Sequence, residues 1–364
     1  MKYDFLIVGA GLFGAVFARQ MKDCGKKCLV IEKRGHVGGN CYTRDEGGIT
    51  VHEYGAHIFH TSDKRVWEYV NAFAEFQPFI NCPLANYRGK LYHLPFNMNT
   101  FYALWGVNTP QKAKDKIAAQ IEPCAQPKNV REQALSLVGR DIYKTLIEGY
   151  TEKQWGRSAD KLPAEIIKRL PLRFTFDNNY FDDLYQGIPV GGYTALIQNL
   201  LDGTEVCTDT DYLENREKYD ALADRVVYTG ALDEFFGYCK GYLEYRSLRF
   251  ETQRLEEENF QGNAVVNYTE RSVSYTRIIE HKHFQPSLCV PHTVITREYP
   301  AAWEAGKERF YPVNDAANTV RYAEYRRLAE GQSKVIFGGR LGLYRYLDMD
   351  DVVAEALNLA EKLK

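Results

Sequence analysis

The chain has 364 residues, of which 45% are hydrophobic and 26% charged; 46 lysines and arginines face 48 aspartates and glutamates, a net charge of −2. This length predicts two or three compact units, and the composition excludes a disordered or fibrous protein. The balanced charge excludes an overall attraction to nucleic acid or to a membrane surface, so we expect neither as a partner, and any polyanion site must be local.

The cysteine pattern and the absence of long apolar runs bear on the cellular compartment. The eight cysteines show neither a CxxC pair nor an evenly spaced framework, which indicates buried free thiols in a reducing compartment. No run of eighteen apolar residues occurs, and the first residues are typical of a strand rather than a cleavable leader. These features predict a cytoplasmic protein.

Roughly the first seventy residues are predicted to alternate strand and helix, with a strand at 3–8, a helix over 11–23 and a strand at 27–32. The stretch FLIVGAGLFGAVFA places Gly9, Gly11 and Gly14 where the first strand meets the helix. In such a βαβ unit the first glycine permits a tight turn, the second lets the backbone approach a pyrophosphate, and the third lets the helix pack on the sheet. A glycine turn that binds nothing is the alternative.

Glu32 ends the second predicted strand, 23 residues after Gly9. Its carboxylate can accept hydrogen bonds from ribose hydroxyls and repels a 2′-phosphate, so NADP is disfavoured. The stretch EKRGHVGGNCYT then adds Gly38 and Gly39, which resemble the glycine pair of flavoproteins of the glutathione-reductase type, where the chain passes close to an extended FAD. An ordinary glycine turn is the alternative. No second GxGxxG occurs, so we expect no separate domain for a nicotinamide cofactor.

The middle of the chain, from about 100 to 171, changes to a helical period. Ile142, Leu146 and Tyr150 are predicted to share one helix face, and Tyr143 and Ile147 another. This pattern predicts a small helical bundle.

Strand-like pieces lie around this block and are rich in aromatic and β-branched residues: ANYRGKLYHLPF, SLRFETQRL, NAVVNYT, VSYTRII and PHTVITREY. They predict an antiparallel sheet, with a turn at Arg88 and Gly89 in the first piece. The segments VVYTGALDEFFGY and VIFGGRLGLYRYLDMDDVVAEALNL return to strand followed by helix. The final helix is predicted to begin at Asp348 as N-cap and to bury one face made of Val353, Ala356, Leu357 and Ala360.

The sequence therefore predicts an α/β fold, in which a discontinuous FAD-binding Rossmann-like domain carries an inserted helical bundle and an antiparallel β-sheet domain. We expect residues 1–77, 196–240 and 315–364 to form the FAD-binding domain. Residues 97–172 are assigned to the helical domain with a mobile substrate loop, and residues 78–96, 173–195 and 241–314 to the sheet domain.

Six further motifs follow one another along nearly the whole chain: HEYGAHIFHT, YTEKQWG, LPAEIIKRLPLRFTFDNNYF, YTRIIEHKHF, RFYPV and GGRLGLYRYLDMDD. In this order and at these spacings they resemble the UDP-galactopyranose mutase family, and together they are far more specific than the glycine fingerprint. One departure is Ala56, where the family commonly has proline before the first histidine of GxHIFH.

The resemblance implies site residues position by position. It implies that the diphosphate of the substrate is held by Arg169, on the mobile loop, and Arg277, on the sheet; guanidinium groups suit phosphate oxygens. The other implied substrate-binding residues are Asn81, Tyr150, Thr151, Trp155, Tyr180, Asn267, Tyr311 and Tyr346, with Arg246, Glu298 and Asp348 as supporting polar residues. The implied cofactor-binding residues are Gly9, Gly11, Phe13, Gly14, Glu32, Gly39, Asn40, His57, Phe59, His60, Arg340, Met349 and Asp350.

The spacing of His52, His57 and His60 raises the possibility of a metal site. HxxH alone is a weak signal, and no cysteine or carboxylate cluster in the sequence completes a tetrahedral set, so we expect no metal. The resemblance instead places His57 and His60 against the flavin, and counts them with Arg169 and Arg277 as catalytic.

The resemblance implies an intramolecular transferase, a flavin-dependent isomerase that interconverts UDP-galactopyranose and UDP-galactofuranose. In the implied mechanism N5 of reduced FAD displaces UDP and forms a covalent adduct with the sugar, without net redox. UDP-galactose is then the partner, a homodimer the assembly, and galactofuranose biosynthesis for a cell-surface polysaccharide the role. An FAD-dependent oxidase or dehydrogenase of the amine-oxidase type is the alternative, and a flavin-binding scaffold without catalysis is a third.

Overall fold

A computed structural model describes residues 2–167 and 172–364 of the protein. Its strands are β1 (Tyr3–Val8), β2 (Cys28–Ile31), β3 (Thr43–Glu46), β4 (Ile49–His52), β5 (Phe59–Thr61), β6 (Phe76–Pro78), β7 (Leu84–Tyr87), β8 (Lys90–His93), β9 (Tyr185–Pro189), β10 (Glu205–Cys207), β11 (Ala223–Tyr228), β12 (Tyr245–Leu255), β13 (Val265–Tyr268), β14 (Arg277–Glu280), β15 (Thr293–Ala302), β16 (Tyr311–Pro312) and β17 (Val335–Phe337). Its helices are α1 (Leu12–Asp23), α2 (Lys64–Asn71), α3 (Met98–Trp105), α4 (Pro110–Ala118), α5 (Val130–Ile142), α6 (Glu148–Trp155), α7 (Gly192–Leu201), α8 (Arg216–Asp220), α9 (Leu232–Phe235), α10 (Ala316–Glu330), α11 (Gly339–Gly342) and α12 (Met349–Leu363).

Both ends of the chain and a middle segment contribute strands to one parallel sheet. Its order is β10-β2-β1-β11-β17, and each neighbouring pair is parallel. Helices α1, α7 and α12 bury their apolar residues against one face of this sheet, where Phe17, Leu196 and Val353 have no exposed surface. The predicted βαβ opening and the discontinuous Rossmann-like fold are confirmed.

A second sheet, of seven strands in the order β16-β12-β15-β14-β13-β7-β8, lies beside it. The predicted turn at Arg88 and Gly89 joins β7 to β8. All of its neighbouring pairs are antiparallel except one, because β13 runs parallel to β7. These two strands are far apart in the chain and share no hairpin, so no tight turn dictates their direction.

The helical block from α3 to α6 surrounds its own core of buried residues, which include Phe101, Val138 and Ile142. It differs from the predicted regular helix at two points. Gly139 has φ +77 and breaks α5, and a π-helical turn over Tyr143–Ile147 joins α5 to α6. A π turn inserts one residue into the helical repeat, which a search for period 3.6 does not detect.

The final helix is confirmed, with Val353, Ala356, Leu357 and Ala360 buried. The prediction that the cysteines are buried is wrong for Cys24, Cys239 and Cys289, which are exposed. All three lie in turns or irregular segments between elements, where the chain runs over the surface. Among the described helices none is long and apolar enough to cross a membrane.

Glu280, at the end of β14, is a fully buried carboxylate that ties three segments together. It accepts hydrogen bonds from the backbone N–H groups of Phe260 and Gln261 and from the hydroxyl of Thr293, each at 2.8 Å. Nε2 of His283 lies 3.1 Å from it. Burial alone would raise the pKa of Glu280, but these hydrogen bonds hold it at about 2, below the ordinary 4.5.

We expect this carboxylate to make folding sensitive to acid. Because its folded pKa is depressed, its stabilisation is complete above pH 4.5 and is lost as the pH falls toward 2. Over that window the free energy of unfolding of the wild type should fall by roughly 3 kcal/mol more than that of E280Q, whose amide does not titrate. Urea unfolding at a series of pH values measures both; parallel curves would contradict the assignment.

Candidate active site

The two glycine motifs meet at the end of β1. A Cβ on Gly39 would lie 3.0 Å from Cα of Gly11, and a Cβ on Gly11 would lie 3.7 Å from Cα of Gly39. The N–H of Gly38 donates to the carbonyl of Ala10 at 2.8 Å and fixes this approach. In the described part of the chain no side chain caps the start of α1. Its first N–H groups thus remain available, and the cradle fits a pyrophosphate.

Glu32 lies directly beside this cradle and is buried. Its Oε2 accepts the N–H of Ala10 at 2.9 Å and its Oε1 accepts the N–H of Arg34 at 3.0 Å. The carboxylate therefore fixes the glycine turn, a role that the sequence did not suggest. Each oxygen keeps a second lone pair for a ribose hydroxyl, so the residues present fit the adenosine end of a dinucleotide.

A cavity of about 1370 Å³ lies between the seven-stranded sheet, α6 and the start of α12. It brings together most of the predicted residues: Asn40, His57, His60, Asn81, Tyr150, Thr151, Trp155, Tyr180, Asn267, Arg277, Tyr311, Arg340, Tyr346 and Met349, with Arg246, Glu298 and Asp348. Several predicted cofactor-binding residues thus line the same cavity as the predicted substrate-binding residues.

The remaining predicted residues lie elsewhere. Gly9, Gly11, Gly14, Glu32 and Gly39 are at the glycine turn. Of the others, Phe13 packs against Gly338, Asp350 lies in the first turn of α12, and Arg169 falls outside the described residues.

Phe59 is completely buried, with its ring 5.6 Å from that of Phe76. Its side chain does not reach the cavity, because neighbouring residues of a strand point to opposite faces and His60 takes the cavity side of β5.

One row of side chains across the seven-stranded sheet forms the polar wall of the cavity. Asn267 on β13 pairs with Arg277 on β14, which pairs with Glu298 on β15. Residues opposite one another in adjacent strands project to the same face. Nε of Arg277 lies 3.1 Å from Oε1 of Glu298, and Nη2 donates to the hydroxyl of Tyr150 at 3.3 Å.

The charge of Arg277 is secure at any physiological pH. Burial alone would lower the pKa of Arg277, but Glu298 and then the neighbouring tyrosines raise it well above its ordinary value. Tyr311 and Tyr346 lie nearby with ring centroids 6.0 Å apart, and the guanidinium of Arg340 lies 5.0 Å from the ring of Tyr346. Cations and hydroxyl donors converge here, and such groups bind phosphate oxygens.

His57 is neutral in this site. Its Nδ1 lies 2.7 Å from the carbonyl of Gly55, and since a carbonyl can only accept, Nδ1 carries the proton. Burial lowers the pKa of His57 to about 4 and holds that of His52 well below its ordinary value. Within residues 2–167 and 172–364, no group of three or more His, Cys, Asp or Glu side chains is placed to hold a metal ion.

Two charged residues to which the sequence motifs assign no role lie beside the cavity and fix its walls. Lys153 on α6 donates to the carbonyls of Tyr268, Val273 and Tyr275 at 2.7–2.9 Å and fixes α6 to the β13–β14 turn. Asp183 contacts His60 at 2.7 Å. In the sequence both look like surface charges, and the only signal for Lys153 is its position three residues after Tyr150 on the same helix.

The fold and this site define a dinucleotide-cofactor enzyme that acts on an anionic substrate: a Rossmann-like sheet ends in a glycine cradle, and the adjoining cavity gathers cations and hydroxyl groups. Comparison with known proteins narrows the class. A family model described as UDP-galactopyranose mutase matches residues 145–346, and one described as NAD(P)-binding Rossmann-like domain matches residues 7–73.

The chain is 40% identical to the probable UDP-galactopyranose mutase of Klebsiella pneumoniae, covering 99% of this chain and 94% of that protein. It is 39% identical to the dTDP-fucopyranose mutase of Escherichia coli, covering 98% and 97%. The crystal structure of a reduced UDP-galactopyranose mutase shares the fold, with a TM-score of 0.75 and 14% identity, covering 100% of this chain and 94% of that one.

The chain therefore belongs to the UDP-galactopyranose mutase family. It is an isomerase that interconverts the pyranose and furanose rings of a nucleotide sugar, as the resemblance implied. The family and the Rossmann-like domain together imply FAD as the cofactor.

We expect Glu32→Gln to weaken FAD binding. A glutamine has one acceptor oxygen, so one of the N–H groups of Ala10 and Arg34 loses its partner beside the cradle. The dissociation constant for FAD should rise about tenfold, corresponding to roughly 1.4 kcal/mol. Titration of the apoprotein with FAD measures it. The control is E205Q on β10, whose carboxylate binds Tyr3, and equal affinity of E32Q and E205Q would refute the role.

Proposed function

We propose that the substrate is UDP-galactose and that reduced FAD supplies the nucleophile for ring interconversion, without net transfer of electrons. The observation that carries this proposal is the placement of Arg277, among tyrosine hydroxyls, in the same cavity as His57, His60 and Met349. A substrate diphosphate held at Arg277 brings its sugar toward the cofactor end of that cavity.

In this proposal the protein's own residues bind and orient the substrate. Arg277 donates to the diphosphate and stabilises the negative charge of UDP as it leaves, with Glu298 behind it to keep the guanidinium in place. In the proposed complex Tyr150 and Thr151, on α6, contact the uracil, and Arg169 supplies the second guanidinium. Holding the reacting groups in line contributes roughly 7–11 kcal/mol in favourable cases.

A second candidate substrate is dTDP-fucose, because the two relatives named above are nearly equally similar to this chain, at 40% and 39% identity. The two nucleotide sugars share a diphosphate. They differ in three groups: the methyl group of thymine, the 2′-hydroxyl of the nucleotide ribose and the 6-hydroxyl of the sugar. In this proposal Arg277 binds the diphosphate, which both nucleotide sugars contain, so Arg277 does not select between them.

The experiment measures turnover of each nucleotide sugar by dithionite-reduced and by fully oxidised enzyme. We expect UDP-galactofuranose to be converted by the reduced enzyme and hardly at all by the oxidised one. Equal rates in both flavin states would exclude the proposed chemistry, and a higher kcat/KM for dTDP-fucose would assign the enzyme to that substrate instead. Turnover of UDP-fucose, which differs from UDP-galactose only in the sugar, and of dTDP-galactose, which differs only in the nucleoside, shows which part of the substrate determines specificity.

The remaining expectations stay predictions: the bounds of the three domains, the homodimer, the cytoplasmic location and the role in a cell-surface polysaccharide. Size-exclusion chromatography with light scattering tests the homodimer directly.

A further inference from the structure

His60 is held by a carboxylate that the sequence motifs do not include. Its Nδ1 lies 2.7 Å from Oδ2 of Asp183, and the hydroxyl of Ser62 donates to Oδ1 of Asp183 at 2.7 Å. The pairing of β5 with β9 places the segment before β9 beside His60, because Thr61 pairs with Tyr185. The ring of Phe181 stacks on His60 at 3.7 Å and 15°, which fixes the plane of the imidazole.

This arrangement determines which nitrogen of a neutral His60 carries the proton. An ionised carboxylate can only accept hydrogen bonds, so Nδ1 is the donor and Nε2 keeps its lone pair. Both oxygens of Asp183 are engaged, one by His60 and one by Ser62, so the carboxylate cannot rotate away freely. Among the described residues none forms a hydrogen bond with Nε2, and His60 lines the cavity.

Several of the polar groups in this part of the cavity are donors. Arg277 and Arg340 can only donate, and the hydroxyls of Tyr311 and Tyr346 stay protonated, because burial raises the pKa of both, so that each can donate as well as accept. Asp348 also faces His60. A sugar carries several hydroxyl donors, and a reduced flavin carries N–H donors, so bound molecules need acceptors as well.

We propose that Asp183 is a positioning residue of the active site. It holds His60 as the Nδ1–H tautomer, so that Nε2 accepts a hydrogen bond from an O–H or N–H group of the bound sugar or cofactor. The identity of that bound molecule rests on the proposed function, whereas the tautomer does not. A purely structural role, in which Asp183 only attaches its loop to β5, requires no particular tautomer.

The direct test is long-range ¹H–¹⁵N correlation spectroscopy of protein with ¹⁵N-labelled histidines at about pH 8, where an ordinary histidine is neutral. His60→Gln identifies the signal of His60. We expect the Nδ1–H pattern in the wild type and in D183E, which restores the acceptor, and a mixture of tautomers in D183A. The matched control is D182N, since Asp182 is an exposed neighbouring carboxylate that pairs with Arg173. A wild-type His60 with the proton on Nε2 overturns the proposal, even if D183A does not fold.

Two additions identify the donor that Nε2 meets. A change of the Nε2 signal on adding FAD alone points to the cofactor, and a change only after UDP-galactose is added to the reduced enzyme points to the sugar. No change in either case overturns the proposal. In the kinetics, D183A should lower kcat about tenfold with little change in KM, and D183E should recover most of it. Because the tautomer is read without turnover, failure of the proposed substrate leaves this test intact.

Discussion

Arg277→Ala is expected to lower kcat/KM for the nucleotide sugar by about 10²–10⁴-fold while FAD remains bound. A guanidinium makes two hydrogen bonds to a diphosphate, and each charge-assisted bond contributes about 1.5–3 kcal/mol. The side chain is only partly exposed, at 21%, and lies between Glu298 and Tyr150, so solvent cannot replace it freely. Steady-state kinetics with reduced enzyme measures the loss, and the flavin absorbance measures cofactor content.

Two further variants separate this effect from instability. Removing Arg277 leaves Glu298 buried without its cation, which is destabilising by itself. Arg277→Lys keeps the ion pair but loses the planar fork, so we expect normal stability with a reduced kcat/KM. Arg297→Ala is the matched control, because Arg297 lies beside Glu298 on β15, on the opposite face of the sheet. Normal turnover by R277A would show that the diphosphate of the substrate does not bind at Arg277.

Gly14→Ala is expected to lower the stability of the apoprotein, whereas Gly11→Ala is expected to lower its affinity for FAD. A Cβ at Gly14 would lie 2.0 Å from the carbonyl oxygen of Gly9, a backbone atom that cannot move without displacing β1. We expect the free energy of unfolding of the apoprotein to fall by about 3 kcal/mol. A Cβ at Gly11 meets only Gly39 at 3.7 Å, an ordinary contact, so the apoprotein should remain within about 1 kcal/mol of the wild type.

The expected defect of G11A is in FAD binding rather than in stability. The added methyl group of G11A occupies the gap between the two glycine motifs, where we place the pyrophosphate, and FAD affinity should fall tenfold or more, roughly 1.4 kcal/mol. Denaturant unfolding of both apoproteins and FAD titration of G11A supply the measurements. If G11A binds FAD as tightly as the wild type, the pyrophosphate does not lie at this turn; if G14A unfolds like the wild type, the packing argument is wrong.

Local signals predicted much of the fold. The glycine turn, the hairpin at Arg88 and Gly89 and the apolar face of α12 each depend on residues close together in the chain, so periodicity and turn chemistry suffice. The parallel pairing of β7 with β13 was not predictable in this way, because the paired residues Leu84 and Val266 are about half the chain apart. The exposed cysteines were missed for a related reason, since exposure depends on what packs over a turn.

For the candidate site, motif context predicted Arg277, Tyr150 and His60, which the structure places around one cavity. It did not predict Asp183 or Lys153. Each is a charged residue in a polar stretch, and each acquires its role only when folding brings distant groups to it: Asp183 reaches His60, and Lys153 reaches the carbonyls of the β13–β14 turn. The spacing of residues along the sequence does not show which distant residues contact Asp183 and Lys153 in the folded protein.

The π-helical turn over Tyr143–Ile147 sets the angular phase of α6. In an uninterrupted α-helix Gly149, seven residues after Ile142, would lie on the same helix face as Ile142. The extra residue of the π turn brings Tyr150 to that face instead. There the hydroxyl of Tyr150 contacts Arg277. Deleting one residue here would restore the regular pitch and turn α6 by about 100°. The contact between Tyr150 and Arg277 thus depends on one inserted residue in this segment, and a change of length here would break a contact that most side-chain substitutions at Tyr143–Ile147 would leave in place.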